Sequence, residues 1–382
     1  MPNQSWRFAL FFFAYYGYVG VFSPYASLYF ADRGISPAQI GVLMSLMQIM
    51  RIIGPNFWGR VADHTQQRVL VLRMTALAAL TCFLGMFFSQ TFVHFFVLMA
   101  MINAFTSAQG PLSEALMLLE MHGDLTHYGR LRLWGSVGFI VSVTVAGQLM
   151  DWFGVSGMPW VAWCLLFLVL FASFQIRESP YGLVHHEAPS VLTLLKQLQV
   201  TLFFLSTFLM IAAHSALYVF YSFYLAQIGY SKTVIGLMWS LGVMAEIAFF
   251  FYQSTIFRWF GVPRLMIASC LIAALRFLMI GYGAHSLMLL LLAQLLHAAT
   301  FGIHHSSSVA TLQRWFSGPL QARGQALYTS ISYGLGGTFG GLIFTLCWDR
   351  MGAQPVFVLA ALFALAGAGA AACSYRYQER SR

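Results

Sequence analysis

Apolar residues run along this chain in long blocks separated by short polar stretches, not in the alternation of a half-buried strand. A membrane-spanning helix needs roughly 20 mostly apolar residues. Blocks of that length cover 6–30, 38–61, 69–90, 93–119, 130–152, 158–176, 199–226, 232–256, 264–284, 286–312, 323–348 and 353–374, which predicts about twelve spanning helices. The longest polar interruption, RESPYGLVHHEAPSVLTLLKQLQ, divides them six and six. The expected organisation is an N-terminal six-helix bundle over 1–176, a cytoplasmic linker over 177–198 and a C-terminal six-helix bundle over 199–382.

The halves are related. The segment YFADRGISPAQIGVLMSL at 29–46 aligns without gaps onto YLAQIGYSKTVIGLMWSL at 224–241, and the same register sets Arg51 opposite Glu246. Composition agrees with a membrane chain: 59% of residues are hydrophobic, 16% aromatic and 8% charged, whereas a soluble domain carries about 25% charge. The net charge of +9 reflects topology, with nucleic acid not implied. Arg60, Arg68, Arg73, Arg130, Arg132, Arg177, Lys196, Arg258, Arg264, Arg314, Arg323, Arg376, Arg380 and Arg382 flank one side, and only Arg33, Lys232 and Arg350 flank the other. By the positive-inside rule both termini are cytoplasmic. Cys82, Cys164, Cys270, Cys347 and Cys373 form no C-x-x-C pair, so neither a disulfide framework nor a zinc site is expected. The apolar run after Arg7 is too long for a signal-peptide core and should remain as the first helix.

Charges inside the apolar blocks point to function. Arg51, Glu246 and Arg276 each sit near the middle of a block, where a full charge costs several kcal/mol unless it faces a partner or a wet cavity. In the first block Tyr15, Tyr18, Phe22, Tyr25 and Tyr29 recur every three or four residues, a stripe suited to core packing or to lining a cavity. The seventh block offers His214, Tyr218 and Tyr221 at similar spacing. In the fourth, Asn103, Ser107, Gly110 and Glu114 share a face that ends in a carboxylate, for substrate, proton or arginine. The tenth places His297 and His304 on one face with Thr300 between them, and His305 about 100° away. The two ring positions are roughly 10 Å apart, too far for one metal, and histidine titrates near neutral pH, so proton handling is the better reading. Glu246 with Arg276 forms either a proton-exchanging pair or a static ion pair. Gly135, Gly138, Gly336, Gly337, Gly340 and Gly341 permit close helix approach.

The loop GRVADHTQQR after the second block resembles the cytoplasmic signature of the major facilitator superfamily, with Gly59, Asp63 and Arg68 matching its gate-side charge network. His64, Gln66 and Gln67 depart from it, and the second copy at 254–263 retains little of it. The run YGRLRLWGSVGF at 128–139, with MWSLGVMAE ending at Glu246 and LLH ending at His297, is similar to the phenylpropionate permease branch of that superfamily, itself similar to the oligosaccharide proton symporters such as lactose permease. The resemblance spans nearly the whole chain. It implies an all-α membrane protein of twelve transmembrane helices in two pseudo-symmetric six-helix bundles, with the substrate site near the midplane.

It further implies that Arg132 anchors substrate and Phe139 stacks on it, and that Glu246, Arg276 and His297 link proton and substrate binding. Two positions depart from the sugar symporters: the acid near the end of the fourth helix is Leu118, and the acid three after the histidine is Thr300. Without its acid Arg132 is expected to be less neutralised and to favour an anion. The combined expectation is a proton-coupled importer of a small aromatic carboxylate in a bacterial cytoplasmic membrane, a monomer without cofactor or metal and not an enzyme. Its site comprises Arg132, Phe139, Tyr15, Tyr18, Tyr25, Tyr218 and Glu114 for substrate, and Glu246, Arg276, His297 and Arg51 for the proton. The alternatives are an efflux antiporter of the same fold, or a sugar or nucleoside proton symporter.

Overall fold

In a hydrocarbon environment every backbone N–H and C=O must be satisfied within its own segment, so the apolar blocks can only be helices. The computed structural model describes residues 5–120, 125–177, 192–316 and 320–380, and these described residues are 93% helical and contain no strand. Most of the expected linker 177–198 lies outside the described residues, as do Arg382 and the side chains of Tyr128 and Arg380. Among the described residues eleven helices are long and apolar enough to cross a bilayer: α2 (Pro37–Thr65), α3 (Arg68–Phe88), α4 (Phe92–Glu120), α5 (Gly129–Phe153), α6 (Val155–Gln175), α7 (Leu198–Ile228), α8 (Lys232–Phe260), α9 (Val262–Gly283), α10 (Leu287–Trp315), α11 (Arg323–Met351) and α12 (Ala353–Gln378). With α1 (Ser5–Asp32), whose 28 residues are long enough but diluted by five tyrosines, the set reaches the expected twelve.

The chain divides into two compact units, Met1–Gly182 with Leu225–Ser240 and Leu183–Tyr224 with Leu241–Arg382. In the first, α1 packs on α5 and α6, α2 on α4, and α3 on α4 and α6. In the second, α7 packs on α11 and α12, and α9 on α10 and α12. The packing of α1 and α3 on their neighbours repeats with an offset of six helices in that of α7 and α9. Glycine makes the closest of these contacts: a Cβ at Gly138 of α5 would lie 2.1 Å from the Phe13 carbonyl oxygen of α1, and one at Gly340 of α11 would lie 2.2 Å from that of Ala212 in α7.

The sequence repeat is a repeated turn. Gly34 and Gly229 both take positive φ, 75° and 108°, a conformation open to glycine without steric cost. Each is followed by a return bond to the preceding helix, Ile35 N–H to the Phe30 carbonyl and Tyr230 N–H to the Leu225 carbonyl, both 3.0 Å. The next residue then caps the following helix. Ser36 Oγ accepts from Gln39 N–H at 3.3 Å in a full capping box with Pro37 at the first turn, and Ser231 Oγ accepts from Val234 N–H at 3.2 Å. The second start is also held within the first unit. The Asp151 carboxylate accepts from Lys232 N–H at 2.9 Å and Thr233 N–H at 2.8 Å, as a helix N-terminus favours.

Candidate functional site

In the first unit α1, α4 and α5 bring one polar group together. Arg132 Nε donates to Glu114 Oε1 at 3.1 Å, and the Tyr16 hydroxyl donates to the same oxygen at 3.3 Å. The guanidinium lies 3.8 Å from the centre of the Tyr16 ring and 6.0 Å from that of Phe12, a cation–π arrangement. Both charged side chains are about a third exposed, at 32% and 33%. Gly135 makes room for this, because a Cβ there would meet Tyr16 at 2.6 Å and Arg132 Nη1 at 2.8 Å. Tyr15 packs edge-on to Tyr16 at 5.0 Å, donates to the Thr106 carbonyl at 3.3 Å, and feels Arg51, Glu114 and Arg132 electrostatically.

The expectation that Arg132 lacks its acid is corrected. Glu114 stands four residues before Leu118, one helical turn away on the same face, and supplies the carboxylate from there. The charge in excess is Arg51, mid-way along α2 and partly exposed, which makes no hydrogen bond or ion pair with the described residues.

Other expected residues are distributed differently. Tyr18 is buried against Phe22 and Phe83. Tyr25 is fully buried, and its hydroxyl is spent on the Val143 and Lys232 carbonyls, each at 2.9 Å, so it fastens helices and joins no polar group. Phe139 meets α1 at Gly20, where a Cβ would lie 2.8 Å from its carbonyl oxygen. The polar strip of α4 splits: Asn103 bonds back to the Met99 carbonyl, Ser107 faces Gly54 of α2, and only Gly110 and Glu114 reach the tyrosines. Gly59, Asp63 and Arg68 border a cavity of about 740 Å³ between α2 and α4, walled by Pro55, Pro111 and Leu118. Asp63 and Arg68 are paired at 3.6 Å.

In the second unit Arg276 is fully buried and held by neutral groups. It donates to the Ala293 carbonyl at 2.8 Å, Thr300 Oγ1 at 3.2 Å and Gln294 Oε1 at 3.1 Å, and Gln294 in turn donates to the Tyr221 hydroxyl. Tyr218 and Tyr221 bear on it electrostatically. Glu246 has His297 as a partner, Oε2 to Nε2 at 3.9 Å, so the expected Glu246–Arg276 pair is replaced by two separate arrangements.

The histidine register differs too. α10 contains a π turn over Ala298–Ile303, and its wider winding brings residues eight apart into one column. His297 stacks on Phe301 at 5.4 Å and Phe301 on His305 at 6.2 Å, with interplanar angles of 11° and 7°. His304, expected beside His297, points instead to Ser269 of α9 at 3.1 Å.

Two related helical units with charged groups inside suit a transporter, and comparison with known proteins gives its family. A family model, the MFS_1 like family, matches residues 5–359. The chain belongs to the MFS_1 like family. The maltose permease of Geobacillus stearothermophilus is 27% identical over 371 residues, 94% of this chain and 92% of that one. The "Probable 3-phenylpropionic acid transporter" of Escherichia coli (strain K12) is 28% identical over 344 residues, 87% of this chain and 89% of that one. The crystal structure of nucleoside transporter NupG superposes with a TM-score of 0.82 at 18% identity, covering 98% of this chain and 100% of that one, which shows the fold.

This MFS protein is therefore a multi-pass membrane transporter of small-molecule substrates and not an enzyme. Sequence reasoning missed three of its polar contacts. Tyr16 lies one residue off the tyrosine stripe, Gln294 is an amide in mid-block, and Thr300 was noted between the two histidines and for the acid it replaces, not as a partner of Arg276. A polar side chain in hydrocarbon was the available signal for Gln294 and Thr300.

Proposed function

We propose that this transporter is a proton-coupled symporter importing a small aromatic carboxylate of the 3-phenylpropionate type. The observation that carries the reading is the charge count of the first unit's polar group. Arg51 and Arg132 stand against Glu114, one positive charge in excess, beside the rings of Phe12, Tyr15 and Tyr16. A carboxylate supplies the missing charge and an aryl ring has faces to stack on. Because Arg132 is engaged by Glu114, Arg51 is the anchor for the carboxylate. Arg132, Glu114, Tyr15 and Phe139 orient the ligand. The Glu246–His297 pair carries the proton, with Arg276 as a fixed charge nearby. Gly59, Asp63 and Arg68 form the gate. The protein works as a monomer in a bacterial cytoplasmic membrane with both termini inside, and residues 1–176 and 199–382 are its functional halves.

A second reading, a neutral sugar, is favoured by the Arg132–Glu114 pair, which offers donors and an acceptor to hydroxyl groups, and by the likeness to a maltose permease. One experiment separates them: uptake of labelled 3-phenylpropionate, maltose and uridine by liposomes holding the purified protein, with the outside more acidic. The expected result is accumulation of 3-phenylpropionate that a protonophore collapses and that Arg51→Gln reduces at least about tenfold, the equivalent of about 1.4 kcal/mol. Accumulation of maltose or uridine alone rejects the carboxylate, and indifference to the protonophore rejects coupling.

A further inference from the structure

Three helices of the second unit contain π turns: Leu217–Tyr221 in α7, Ala298–Ile303 in α10 and Thr329–Gly336 in α11. Among the described residues the first unit has none. π turns are rare and concentrate at functional sites. Here they surround the buried His214, His297 and His304 and the partly buried His305: the centre of Phe301 lies 6.3 Å from His214, 5.4 Å from His297 and 6.2 Å from His305.

The hydrogen bonds assign the protons on two of these rings. His214 Nδ1 contacts the Met210 carbonyl at 2.9 Å and must donate to it, so in the neutral ring Nε2 carries a lone pair. Ser269 Oγ gives its own proton to the Met266 carbonyl at 2.7 Å. Its 3.1 Å contact with His304 Nδ1 therefore runs from the ring N–H to the serine oxygen, which again leaves Nε2 as an acceptor. Neither Nε2 meets a protein partner, and nor do His297 Nδ1 and Ser307 Oγ, although all four atoms are buried. An unsatisfied buried polar atom costs about 1–3 kcal/mol, and water is its usual remedy.

We propose that these atoms line a hydrated proton path inside the second unit, from His297 past His214 and His304 to Ser307, Ser308 and Tyr328. It leads to the end where α10 closes at Trp315 and α11 opens at Arg323, the cytoplasmic end by the charge asymmetry. The proposal rests on the proton-coupled reading above and adds a route that reading does not contain. The groups facing the path are Tyr218 and Tyr221 from α7, Glu246 from α8, Cys270 and Arg276 from α9, His305 from α10, Tyr333 from α11 and Tyr375 from α12.

Each transfer conserves atoms. Glu246 or the His297 ring releases a proton to water, His304 accepts it at Nε2 while its Nδ1–H stays on Ser269, and the imidazolium returns the same Nε2 proton to water at Ser307. Only N–H and O–H bonds form and break, and the final acceptor is bulk water.

His304→Gln keeps a polar group beside Ser269 but cannot relay. In liposomes, with whichever of labelled 3-phenylpropionate, maltose or uridine the wild type accumulates, the variant should lose at least tenfold in gradient-driven uptake and retain exchange of labelled against unlabelled substrate, which needs no net proton movement. Unchanged driven uptake in the variant, or equal loss of both activities, overturns the path. Driven uptake by the wild type that ignores the proton gradient overturns the coupled reading itself. A measurement without substrate stands beside it: in bilayers holding ¹⁵N-histidine-labelled protein, Nε2 of His214 and His304 should exchange magnetisation with water. Dry nitrogens at both positions overturn the path whatever the transport result.

Discussion

Replacing Gly340 by alanine tests the packing that holds α7 to α11. The new Cβ would sit 2.2 Å from the Ala212 carbonyl oxygen and 2.7 Å from its Cα, whereas ordinary contact starts at 3.4 Å. The obstruction is backbone, which cannot turn aside as a side chain can. The helices must part locally by 3.4 − 2.2 = 1.2 Å. The bond from Ser215 Oγ to the Gly337 carbonyl, now 2.9 Å, stretches beyond hydrogen-bonding range. Overpacking of this kind costs about 1–3 kcal/mol, and a lost buried hydrogen bond adds about 1 kcal/mol. Alanine's better helix propensity returns about 1 kcal/mol, so the net is about 2 kcal/mol, equivalent to a fall of about 2–3 °C in melting temperature for a chain of this size. Unfolding in detergent, followed by the reactivity of the buried Cys270 thiol, reads the shift. Gly369→Ala is the control: its Cβ would meet nothing within 4 Å, and alanine is the better helix former by about 1 kcal/mol. A Gly340→Ala protein melting within about 1 °C of the wild type would refute the close contact.

Other outcomes follow from the same contacts. Tyr25→Phe removes a hydroxyl shared by the Val143 and Lys232 carbonyls, so it should cost about 1 kcal/mol of stability and leave 3-phenylpropionate uptake intact; a large loss of uptake with normal melting would instead return Tyr25 to the cavity. Arg73 donates to the Ser173, Phe174 and Ile176 carbonyls at the end of α6, where a cation suits the helix C-terminus. Arg73→Gln should therefore speed amide exchange in that last turn, with no change in the first turn of α3. The Arg51→Gln and His304→Gln experiments complete the set.

Much of the architecture was readable before any tertiary contact. Apolar blocks of membrane length become helices because lipid offers the backbone no other partner. The turn at 29–46 and 224–241 repeats because its chemistry is local: a glycine for positive φ and a serine to cap the next helix. The polar groups were legible as residues but not as partners. Arg132, Glu114 and Arg276 announce themselves by their presence in hydrocarbon, yet the acid for Arg132 came from a turn earlier than the resemblance implied, and Arg276 found neutral groups where Glu246 was expected.

Sequence by itself thus determined the helices, the repeated glycine–serine turn, the two related halves and which side chains could not face lipid. Tertiary structure decided who meets whom. One residue of register turns a side chain by about 100° around a helix, and hydropathy is blind to such rotations when every face of the block is apolar. The π turn at Ala298–Ile303 shifts that register within α10, so His297 aligns with His305 and His304 turns to Ser269. The winding of a helix answers to its packed neighbours, and those neighbours lie far away along the chain.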